Sequence, residues 1–447
     1  MSYPRFWKLT NAILTAFTLN LLSLPISAAE TPLKTYIVVL KDGVDSQKVA
    51  VEHATTNGFN VPFVYKAALK GYAAPMSESV VRLLKSDSRV LFISEDRKVH
   101  TTAQTLPTGV DRIEADKSST KSGDGTGSVD VGVAIIDTGI NKSHPDLNVV
   151  DGKSCVLGSL GNYNDQNGHG THVAGTVAAK DNGDGVVGVA PGAKLYAVRV
   201  LDATGSGMTS QVICGIEWVT ANAASKGIKV ANMSLGGAGE DDGNCGMTNN
   251  DAMHMAICNS VKAGVTYVVA AGNEGVDMAA STPAAYDEVL TVTAIADFNG
   301  QPGGGAASTC RADVDDTAAE FSNYALLESD KQHTIAAPGT CINSTWLTGL
   351  VGTPISVPSL PDPGLPVSTN TSGYNTISGT SMASPHVAGA VALCIASGGC
   401  ANMTPKQIMD KLRNDAAGQP TTYGFQDDPN SPNGSRYYGF LLNTGGY

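Results

Sequence analysis

The pattern of hydrophobic and polar positions changes near residue 100 and divides the chain into two parts. Before that point, short apolar runs alternate with two stretches that carry apolar residues at helical spacing, in the order strand, helix, two strands, helix, strand. Residues 35 to 99 therefore predict a small two-layer α+β module. The following stretch, "VHTTAQTLPTG", loses all periodicity and is typical of a linker.

From Val129 onward the apolar runs are continuous and no longer alternate with polar residues, which is typical of parallel strands that are buried on both faces. Five such runs are "VDVGVAIIDTG", "KLYAVRVL", "IKVANMSLGG", "TYVVAAGN" and "VLTVTAIA". Helical spacing occurs between them in "HGTHVAGTVAA", "TSQVICGIEWVTANAASKG" and "NNDAMHMAICNSVKAG". This alternation predicts a doubly wound α/β domain, with a mostly parallel sheet and helices on both faces.

Two further segments near the carboxyl end have clear local signals. Thr404 before Pro405, with Gln407 at the capping-box position, predicts the start of another helix. Residues 348 to 373 are rich in Pro, Gly and Ser and predict a long surface loop.

Composition adds two constraints to this organisation. With 447 residues, 42% of them hydrophobic and only 16% charged, the chain is long enough for one large core and a smaller module. Its net charge is −12 and it has no basic stripe, so nucleic acid is not an expected partner.

The first 29 residues have a basic start, an apolar run from Ala12 to Ile26 and small residues before Glu30. This pattern predicts a secretion signal that is cut after Ala29, and hence a secreted protein. A membrane anchor is the alternative, but the run is short and is interrupted by polar residues such as Asn20. We expect no membrane association after the signal is removed.

Export gives the eight cysteines a meaning, because an even number in an oxidising compartment usually signals disulfides. Eight cysteines allow 105 connectivities. Cys394 with Cys400, and Cys245 with Cys258, close short loops and are the first pairs we expect; Cys155 with Cys214 and Cys310 with Cys341 are what remains.

Four polar side chains stand beside apolar runs, at positions where a parallel sheet forms its binding crevice. Asp137 ends one strand, Asn273 ends another, and His169 and Ser381 each open a predicted helix. Taken singly, each has a structural interpretation, as a turn residue or a helix-start residue. Together they supply the carboxylate, imidazole, hydroxyl and amide that acyl transfer requires.

At these residues the chain resembles the subtilase family of serine peptidases. The matching motifs are "AIIDTGINKSHPDL", "NGHGTHVAGTVAA", "NMSLGG", "AAGNEG" and "GTSMASPHVAG", in the family's own order of Asp, His and Ser. The resemblance implies that Asp137 orients His169, which is the general base for the nucleophile Ser381, and that Asn273 binds the oxyanion. His172 is then a packing residue, and His386, which lies further along its helix, is a bystander and not the base.

The resemblance also implies a zymogen organised in three parts. A signal peptide, 1 to 29, precedes a ferredoxin-like inhibitory propeptide, 30 to 102, and a subtilisin-like peptidase domain, 103 to 447. Cleavage is expected between Thr102 and Ala103, with the propeptide as intramolecular inhibitor. The expected partners are protein and peptide substrates, and the expected oligomeric state is a monomer.

Subtilases bind an extended substrate between two edge segments. The matching segments are Gly205, Ser206 and Gly207 on one side and Ser234, Leu235 and Gly236 on the other, with Ala271 and Gly272 in the wall of the specificity pocket. No acidic residue lies at the expected base of that pocket, so broad cleavage after uncharged residues is expected. The rivals are a catalytically silent scaffold that binds peptides and a selective processing peptidase.

A calcium site follows from the same resemblance. The loop "AAKDNGDGVVGVAPG" keeps the family's length, so that Gln104, Asp146 and Asn182 offer side-chain oxygens and Lys180, Asp184 and Val186 offer carbonyls. Hard oxygen ligands on a tight loop suit Ca²⁺. The alternative is a solvated acidic turn that binds no ion.

Overall fold

A computed structural model of the chain describes residues 33–96, 104–348 and 373–447. The chain divides into two compact units, Met1–Thr101 and Thr102–Tyr447. Three expectations lie outside the described residues: the signal peptide at 1 to 29, the cleavage between Thr102 and Ala103, and most of the loop at 348 to 373.

The first unit has the predicted order of elements. They are β1 (Lys34–Leu40), α1 (Ser46–Asn57), β2 (Phe63–Tyr65), β3 (Gly71–Met76), α2 (Glu78–Leu84) and β4 (Val90–Glu95). The strands form one antiparallel sheet in the order β2-β3-β1-β4. Local signals set the helix ends, since the Asp45 carboxylate caps α1 and Gly58 ends it in the left-handed conformation. The two-layer α+β prediction is confirmed.

The second unit contains the remaining elements. Its helices are α3 (Thr108–Arg112), α4 (His169–Ala178), α5 (Thr209–Lys226), α6 (Ala252–Lys262), α7 (Glu328–Lys331), α8 (Thr380–Ala396) and α9 (Pro405–Ala417). Its strands are β5 (Gly132–Asp137), β6 (Val149–Ser154), β7 (Lys194–Arg199), β8 (Ile228–Met233), β9 (Gly237–Ala238), β10 (Thr266–Ala270), β11 (Ser281–Thr282), β12 (Leu290–Ala296), β13 (Thr317–Ala318), β14 (Thr334–Pro338), β15 (Ile342–Thr345) and β16 (Tyr374–Ile377).

Seven parallel strands form the main sheet, in the order β6-β7-β5-β8-β10-β12-β14, and the short β13 joins β12 antiparallel. The chain builds the sheet outward from β5, first toward β7 and β6 and then toward β8 and beyond. Such a reversal opens a crevice at the carboxyl ends of the central strands. The prediction of a doubly wound, mostly parallel sheet is confirmed.

Helices cover both faces of this sheet, and β5 shows how the sequence achieves this. Val133 and Ile135 point into the core shared with α4, α8 and α9, whereas Ala134 and Ile136 point into the core beneath α5 and α6. Successive side chains of a strand alternate between faces, so an unbroken apolar run is what burial on both sides requires.

Two of the parallel strands, and the short β13, were missed by the sequence analysis. The edge strand β6 contains Asp151 and Lys153 and is only partly buried, so it lacks a continuous apolar run. The strand β14 has only five residues and ends at Pro338. The capping box predicted at Thr404 and Gln407 is present at the start of α9.

Four disulfides form, and all lie in the second unit. Cys394–Cys400 and Cys245–Cys258 are the short-loop pairs that were expected first, and the other four cysteines pair as Cys155–Cys214 and Cys310–Cys341. In the described ranges, no helix is both long enough and apolar enough to cross a membrane.

Candidate active site

Asp137 and His169 form a hydrogen-bonded pair at the carboxyl end of β5. The ring nitrogen Nδ1 of His169 lies 2.8 Å and 3.0 Å from the two carboxylate oxygens. The side chain of Asp137 is fully buried, and the Thr138 N–H donates to its Oδ1 at 2.7 Å. Because a carboxylate only accepts, Nδ1 carries the proton and Nε2 is left as the basic nitrogen.

The electrostatics of this pair favour a base that works near neutral pH. Burial alone lowers the pKa of His169, but the charge of Asp137 and its hydrogen bond outweigh that effect, and the net shift of the pKa is upward. The His169 side chain is 17% exposed, so the ring keeps one open edge.

A second carboxylate, which the sequence analysis missed, shapes the turn before His169. The buried Asp165 accepts hydrogen bonds from the N–H groups of Asn167, Gly168 and Thr171 and from the hydroxyl of Thr138. These contacts tie the turn to the residue that follows Asp137. A buried carboxylate is stable only when such donors surround it.

Two other histidines of the motifs lie in the interior. The Nε2 of His172 donates toward the carbonyls of Ile342 and Asn375, and the Nδ1 of His386 donates to the carbonyl of Met382 at 2.9 Å. Burial lowers their pKa values, to about 3 for His172 and about 4 for His386. Both rings are therefore neutral packing groups at neutral pH.

Ser381 is the second residue of α8, and two hydrogen bonds join it to Ser234. The Ser381 hydroxyl donates to the Ser234 carbonyl at 3.3 Å, and the Ser234 hydroxyl donates to the Ser381 carbonyl at 2.9 Å. Within the described residues, the Ser381 hydroxyl makes no hydrogen bond to His169. Catalytic hydrogen bonds are often long or unformed before substrate binds, so this geometry does not remove Ser381 as nucleophile.

A buried side chain on β8 completes this connection. Asn232 is fully buried; its amide donates to the Ser234 hydroxyl at 2.9 Å, and its oxygen accepts from Ser384 at 2.7 Å. The chain of donors therefore runs from α8 through β8 and back to the main chain of Ser381. Sequence analysis did not find Asn232, which stands inside an apolar strand.

Asn273 is held by its oxygen. The N–H and the hydroxyl of Thr380 both donate to Asn273 Oδ1, at 2.8 Å and 3.0 Å. Because an N–H can only donate, the contact fixes which end of the amide is the oxygen. Among the described residues, Asn273 Nδ2 has no hydrogen-bond partner, and it remains available as a donor.

The loop that carries Asn273 is braced by a residue that the sequence analysis also missed. The fully buried Asn323 donates to the Ala271 carbonyl and to Glu274, and its oxygen accepts the Glu274 N–H. Gly272 has a φ of 108°, and a Cβ there would lie 2.2 Å from Asn323. The Ala271 carbonyl is therefore already hydrogen-bonded, and any residue larger than glycine at position 272 would clash with Asn323.

The two expected edge segments differ in exposure. Gly205, Ser206 and Gly207 are exposed, whereas Ser234 is buried and the chain becomes exposed again at Gly236. Asp202 shapes the first segment, since its carboxylate accepts the Ser206 N–H. In the described chain, the main-chain groups of Gly207, Leu235 and Gly236 have no hydrogen-bond partners. These segments therefore keep main-chain groups to which an extended peptide can bind.

The six residues of the expected calcium loop come together. The Gln104 amide nitrogen lies 2.7 Å, 3.3 Å and 3.1 Å from the carbonyls of Lys180, Asp184 and Val186. Asp146 accepts the Asn182 amide at 3.1 Å. The sequence analysis expected side-chain oxygens at this point, whereas both amides turn their nitrogens toward it.

The donor set nevertheless fits a cation. Gln104 Oε1 is buried and, within the described residues, has no partner. A half-turn of the amide would turn this oxygen toward the three carbonyls, where it could serve as a ligand for a cation. Burial raises the pKa of Asp146 to about 6. A buried carboxylate beside converging carbonyls is the environment that a hard cation stabilises.

The carboxyl ends of three neighbouring strands carry an oriented imidazole, a hydroxyl at a helix start and a free amide donor. Asp137, which pairs with His169, ends β5; Ser234, which is hydrogen-bonded to Ser381, follows β8; and Asn273 follows β10. The arrangement is suited to acyl transfer, with a proton acceptor, a nucleophile and a donor for developing negative charge.

Comparisons with known proteins agree with this chemistry. A family model described as the Subtilase family matches residues 128–440, and one described as Peptidase inhibitor I9 matches residues 35–102. Subtilisin E of Bacillus subtilis is 35% identical over 424 residues, which cover 93% of this chain and 94% of the relative.

Two further relatives extend the comparison. A thermostable alkaline protease of Halalkalibacterium halodurans is 33% identical over 415 residues, covering 92% of this chain and 95% of the relative. The crystal structure of a cold adapted subtilisin-like serine proteinase has a TM-score of 0.52 and 28% sequence identity, and the match covers 77% of this chain and 99% of that chain.

Proposed function

Because the chain belongs to the subtilase family and is a serine endopeptidase, we propose that Asp137, His169 and Ser381 carry out its catalysis. The observation that carries the proposal is the pairing of His169 Nδ1 with a fully buried carboxylate at 2.8 Å. That pairing leaves Nε2 basic on the open edge of the ring. The first turn of α8, with Ser381, is tied to the neighbouring strand end.

In the first half of the reaction, His169 Nε2 accepts the Ser381 proton while the serine oxygen attacks the scissile carbonyl. Asp137 stabilises the imidazolium that forms and keeps the ring in place. The same nitrogen then donates that proton to the leaving amine, and an acyl-enzyme remains. In the second half of the reaction, water takes the place of the serine hydroxyl. It attacks the acyl-enzyme with His169 as the base, and the acid product is released.

Asn273 Nδ2 and the N–H of Ser381 are proposed as donors to the oxyanion. Asn273 is suited to this role because Thr380 engages its oxygen and leaves its nitrogen free. Ser381 lies in the first turn of α8, where main-chain N–H groups have no partner within the helix. Donors that are oriented before the reaction stabilise the developing charge without reorganisation.

The substrates are proteins and peptides, bound in an extended form between 205–207 and 234–236. This proposal rests on the unpaired main-chain groups at Gly207, Leu235 and Gly236. Ala271 and Gly272 contribute no charge themselves, although the Glu274 carboxylate lies beside Gly272, at the rim of the pocket. Selective cleavage after Lys or Arg would call for an acidic residue at the base of the pocket, and none is expected there, which supports cleavage after uncharged residues.

The inhibitor I9 domain precedes the peptidase domain, so the chain is organised as a zymogen with its own inhibitor. We propose the boundaries 1–29 for a signal peptide, 30–102 for the propeptide and 103–447 for the peptidase. Self-cleavage between Thr102 and Ala103 then releases a secreted, monomeric enzyme. The apolar start of the chain and the four disulfides support export.

We propose that Ca²⁺ occupies the loop of Gln104, Asp146 and Asn182, where it would neutralise the buried carboxylate and order the turn. Ca²⁺ at 100 times its dissociation constant is expected to stabilise the fold by about 2.7 kcal/mol. Thermal unfolding with Ca²⁺ or with a chelator measures this, and Asp146→Asn is expected to remove the response. A parent protein that unfolds at the same temperature under both conditions has no such site.

The decisive experiment on the mechanism replaces Ser381 with alanine. Ser381→Ala is expected to lower kcat by about 10⁶-fold and to stop release of the propeptide. The matched control is Ser225→Ala, an exposed serine on α5. Peptide turnover and the mass of the purified chain are the measurements. If the Ser381→Ala chain matures by itself and cleaves peptides at the parent rate, the mechanism is wrong.

A further inference from the structure

Another histidine is surrounded by carboxylates, in the segment between the motifs "NMSLGG" and "AAGNEG". His254 lies in the first turns of α6, and its side chain is fully buried. Its Nε2 lies 2.8 Å from Glu288 Oε2, and its ring stacks on Tyr286 with centroids 4.0 Å apart and planes 3° apart. These contacts fix both the position and the plane of the imidazole.

The other nitrogen of the same ring has no hydrogen bond in the described structure. His254 Nδ1 lies 3.5 Å from Asp241 Oδ1 and 3.5 Å from Asp242 Oδ1. Both His254 Nδ1 and Asp241 Oδ1 are buried without a partner among the described residues. Glu288 only accepts, so Nε2 carries a proton, and the Nδ1 of a neutral ring directs a lone pair at two carboxylate oxygens.

The lone pair and the two carboxylate oxygens repel one another unless a positive species lies among the three atoms. The distances between these atoms indicate what kind of cation fits. Donors around a tetrahedral ion with bonds of about 2.0–2.2 Å lie about 3.4 Å apart. The observed 3.5 Å matches that edge, whereas it exceeds the usual length of an N–H···O hydrogen bond. The three donor atoms lie within 4.8 Å of one another.

We propose that Asp241, Asp242 and His254 bind one transition-metal dication of the Zn²⁺ class, with water as the fourth ligand. Glu288 then holds the far side of the ring, the arrangement by which carboxylates commonly orient metal-binding histidines. An imidazole nitrogen in the donor set favours Zn²⁺ over Ca²⁺ or Mg²⁺, which prefer oxygen alone.

The loop before α6 is built to hold these ligands in place. The carboxylate of Asp242 accepts four main-chain N–H groups, from Asn244, Gly246, Thr248 and Asn249. Cys245 and Cys258 tie the loop to the helix through a disulfide, so neither sulfur is a thiolate ligand. Because Asp242 Oδ1 already accepts two of these bonds, Asp242 is the weakest of the three ligands.

Asp241 is the carboxylate with the most to gain from an ion. The Gly243 N–H donates to its Oδ2. The opposite oxygen is the orphaned one. An ion beside Oδ1 would stabilise the charged form and would give the buried atom a partner.

The alternative is a doubly protonated His254 that forms ion pairs on both sides without a metal. Metal titration of the full-length Ser381→Ala chain, which avoids self-digestion, separates the two. The titration uses Zn²⁺ and Co²⁺ in excess Ca²⁺, so that oxygen-only sites are filled. We expect one equivalent of Zn²⁺ to bind, and Co²⁺ to give the intense visible absorption of tetrahedral coordination.

Three variants test the ligands. His254→Gln keeps a donor toward Glu288 but lacks Nδ1, and Asp241→Asn lacks the charged ligand; each is expected to abolish Zn²⁺ binding. Glu288→Gln is expected to weaken binding by about 10–100-fold. Asp130→Asn, which removes an exposed carboxylate paired with Lys194, is the matched control and is expected to bind as the parent does.

The proposal is overturned if the parent binds no Zn²⁺, or if His254→Gln and Asp241→Asn bind it as the parent does. Circular dichroism shows whether each variant folds. If a ligand variant does not fold, anomalous scattering at the zinc edge from crystals of the Ser381→Ala chain decides instead. A peak beside His254 Nδ1 supports the site, and its absence in excess Zn²⁺ rejects it.

Discussion

The start of α4 places two histidines in opposite environments. His169 begins the helix at the edge of the sheet, faces a carboxylate and has a pKa that is raised above its usual value. His172, one turn later, lies in the interior against the carbonyls of Ile342 and Asn375, and burial lowers its pKa to about 3. The same side chain is thus a base in one place and a neutral packing group in the other.

The difference shows what makes a buried histidine reactive. A carbonyl accepts a hydrogen bond from the ring but carries no net charge, so burial dominates and the imidazolium is disfavoured. A carboxylate adds the charge that offsets burial. His386 on α8 supports the same argument, because its only described partner is the Met382 carbonyl and its pKa is lowered to about 4.

The test with the largest expected effect on activity removes the charge beside His169. Asp137→Asn leaves a side chain of the same size but lets the ring adopt the wrong tautomer and leaves the imidazolium without its counterion. We expect kcat to fall by about 10⁴-fold. Steady-state hydrolysis of a peptide substrate measures it, with separately expressed propeptide added if maturation fails.

The control for this variant is Asp130→Asn, which removes an exposed carboxylate that pairs with Lys194. Its kcat is expected to match that of the parent. If Asp137→Asn retains more than a tenth of the parent kcat, the carboxylate is not what separates His169 from His172.

The next test concerns the donor rather than the base. Asn273→Ala removes the free amide while leaving the histidine pair intact, and kcat is expected to fall by about 10²–10³-fold with little change in KM. Asn259→Ala, an exposed residue on α6, is the matched control. An equal fall in kcat for both variants, or a change confined to KM, would contradict the role in the oxyanion site.

Much of this contrast could be predicted from sequence because it rests on local signals. The unbroken run that ends at Asp137 predicts a buried strand, and the glycine-rich start at His169 predicts a helix at its edge. The resemblance to the subtilases then gave the motif residues their expected roles, including a packing role for His172, and it excluded His386 as the base.

The residues that the sequence analysis missed are those whose meaning depends on distant partners. Asp165 stands in the turn "NDQNG", where any aspartate would look like a solvated turn residue, yet it binds Thr138 from 27 positions earlier. Asn232 and Asn323 reach residues that are 152 and 52 positions away. No local pattern reveals such contacts, and the cluster around His254 was missed for the same reason.

The smallest expected effects concern the dependence of stability and activity on pH. The buried neutral histidines should affect the stability, whereas His169 should affect the activity. The folded state holds His386 neutral down to a pKa of about 4, whereas the unfolded chain binds a proton near pH 6.5. The unfolded state therefore binds more protons between these values, and the free energy of unfolding falls as the pH falls through that window. The loss for one such group is on the order of 3 kcal/mol.

His386→Asn tests this assignment, because the asparagine amide keeps a donor toward the Met382 carbonyl but does not titrate. Urea unfolding in the Ser381→Ala background is expected to show a lower stability at pH 7 and a weaker decline toward pH 4 than in the parent.

In the active parent, kcat/KM should fall on acidification through a pKa above 6.5, since Asp137 raises the pKa of His169. The His386→Asn change should leave this kinetic limb in place. If it moves the limb, or leaves the acid decline in stability unchanged, the two histidine environments are not separate as argued.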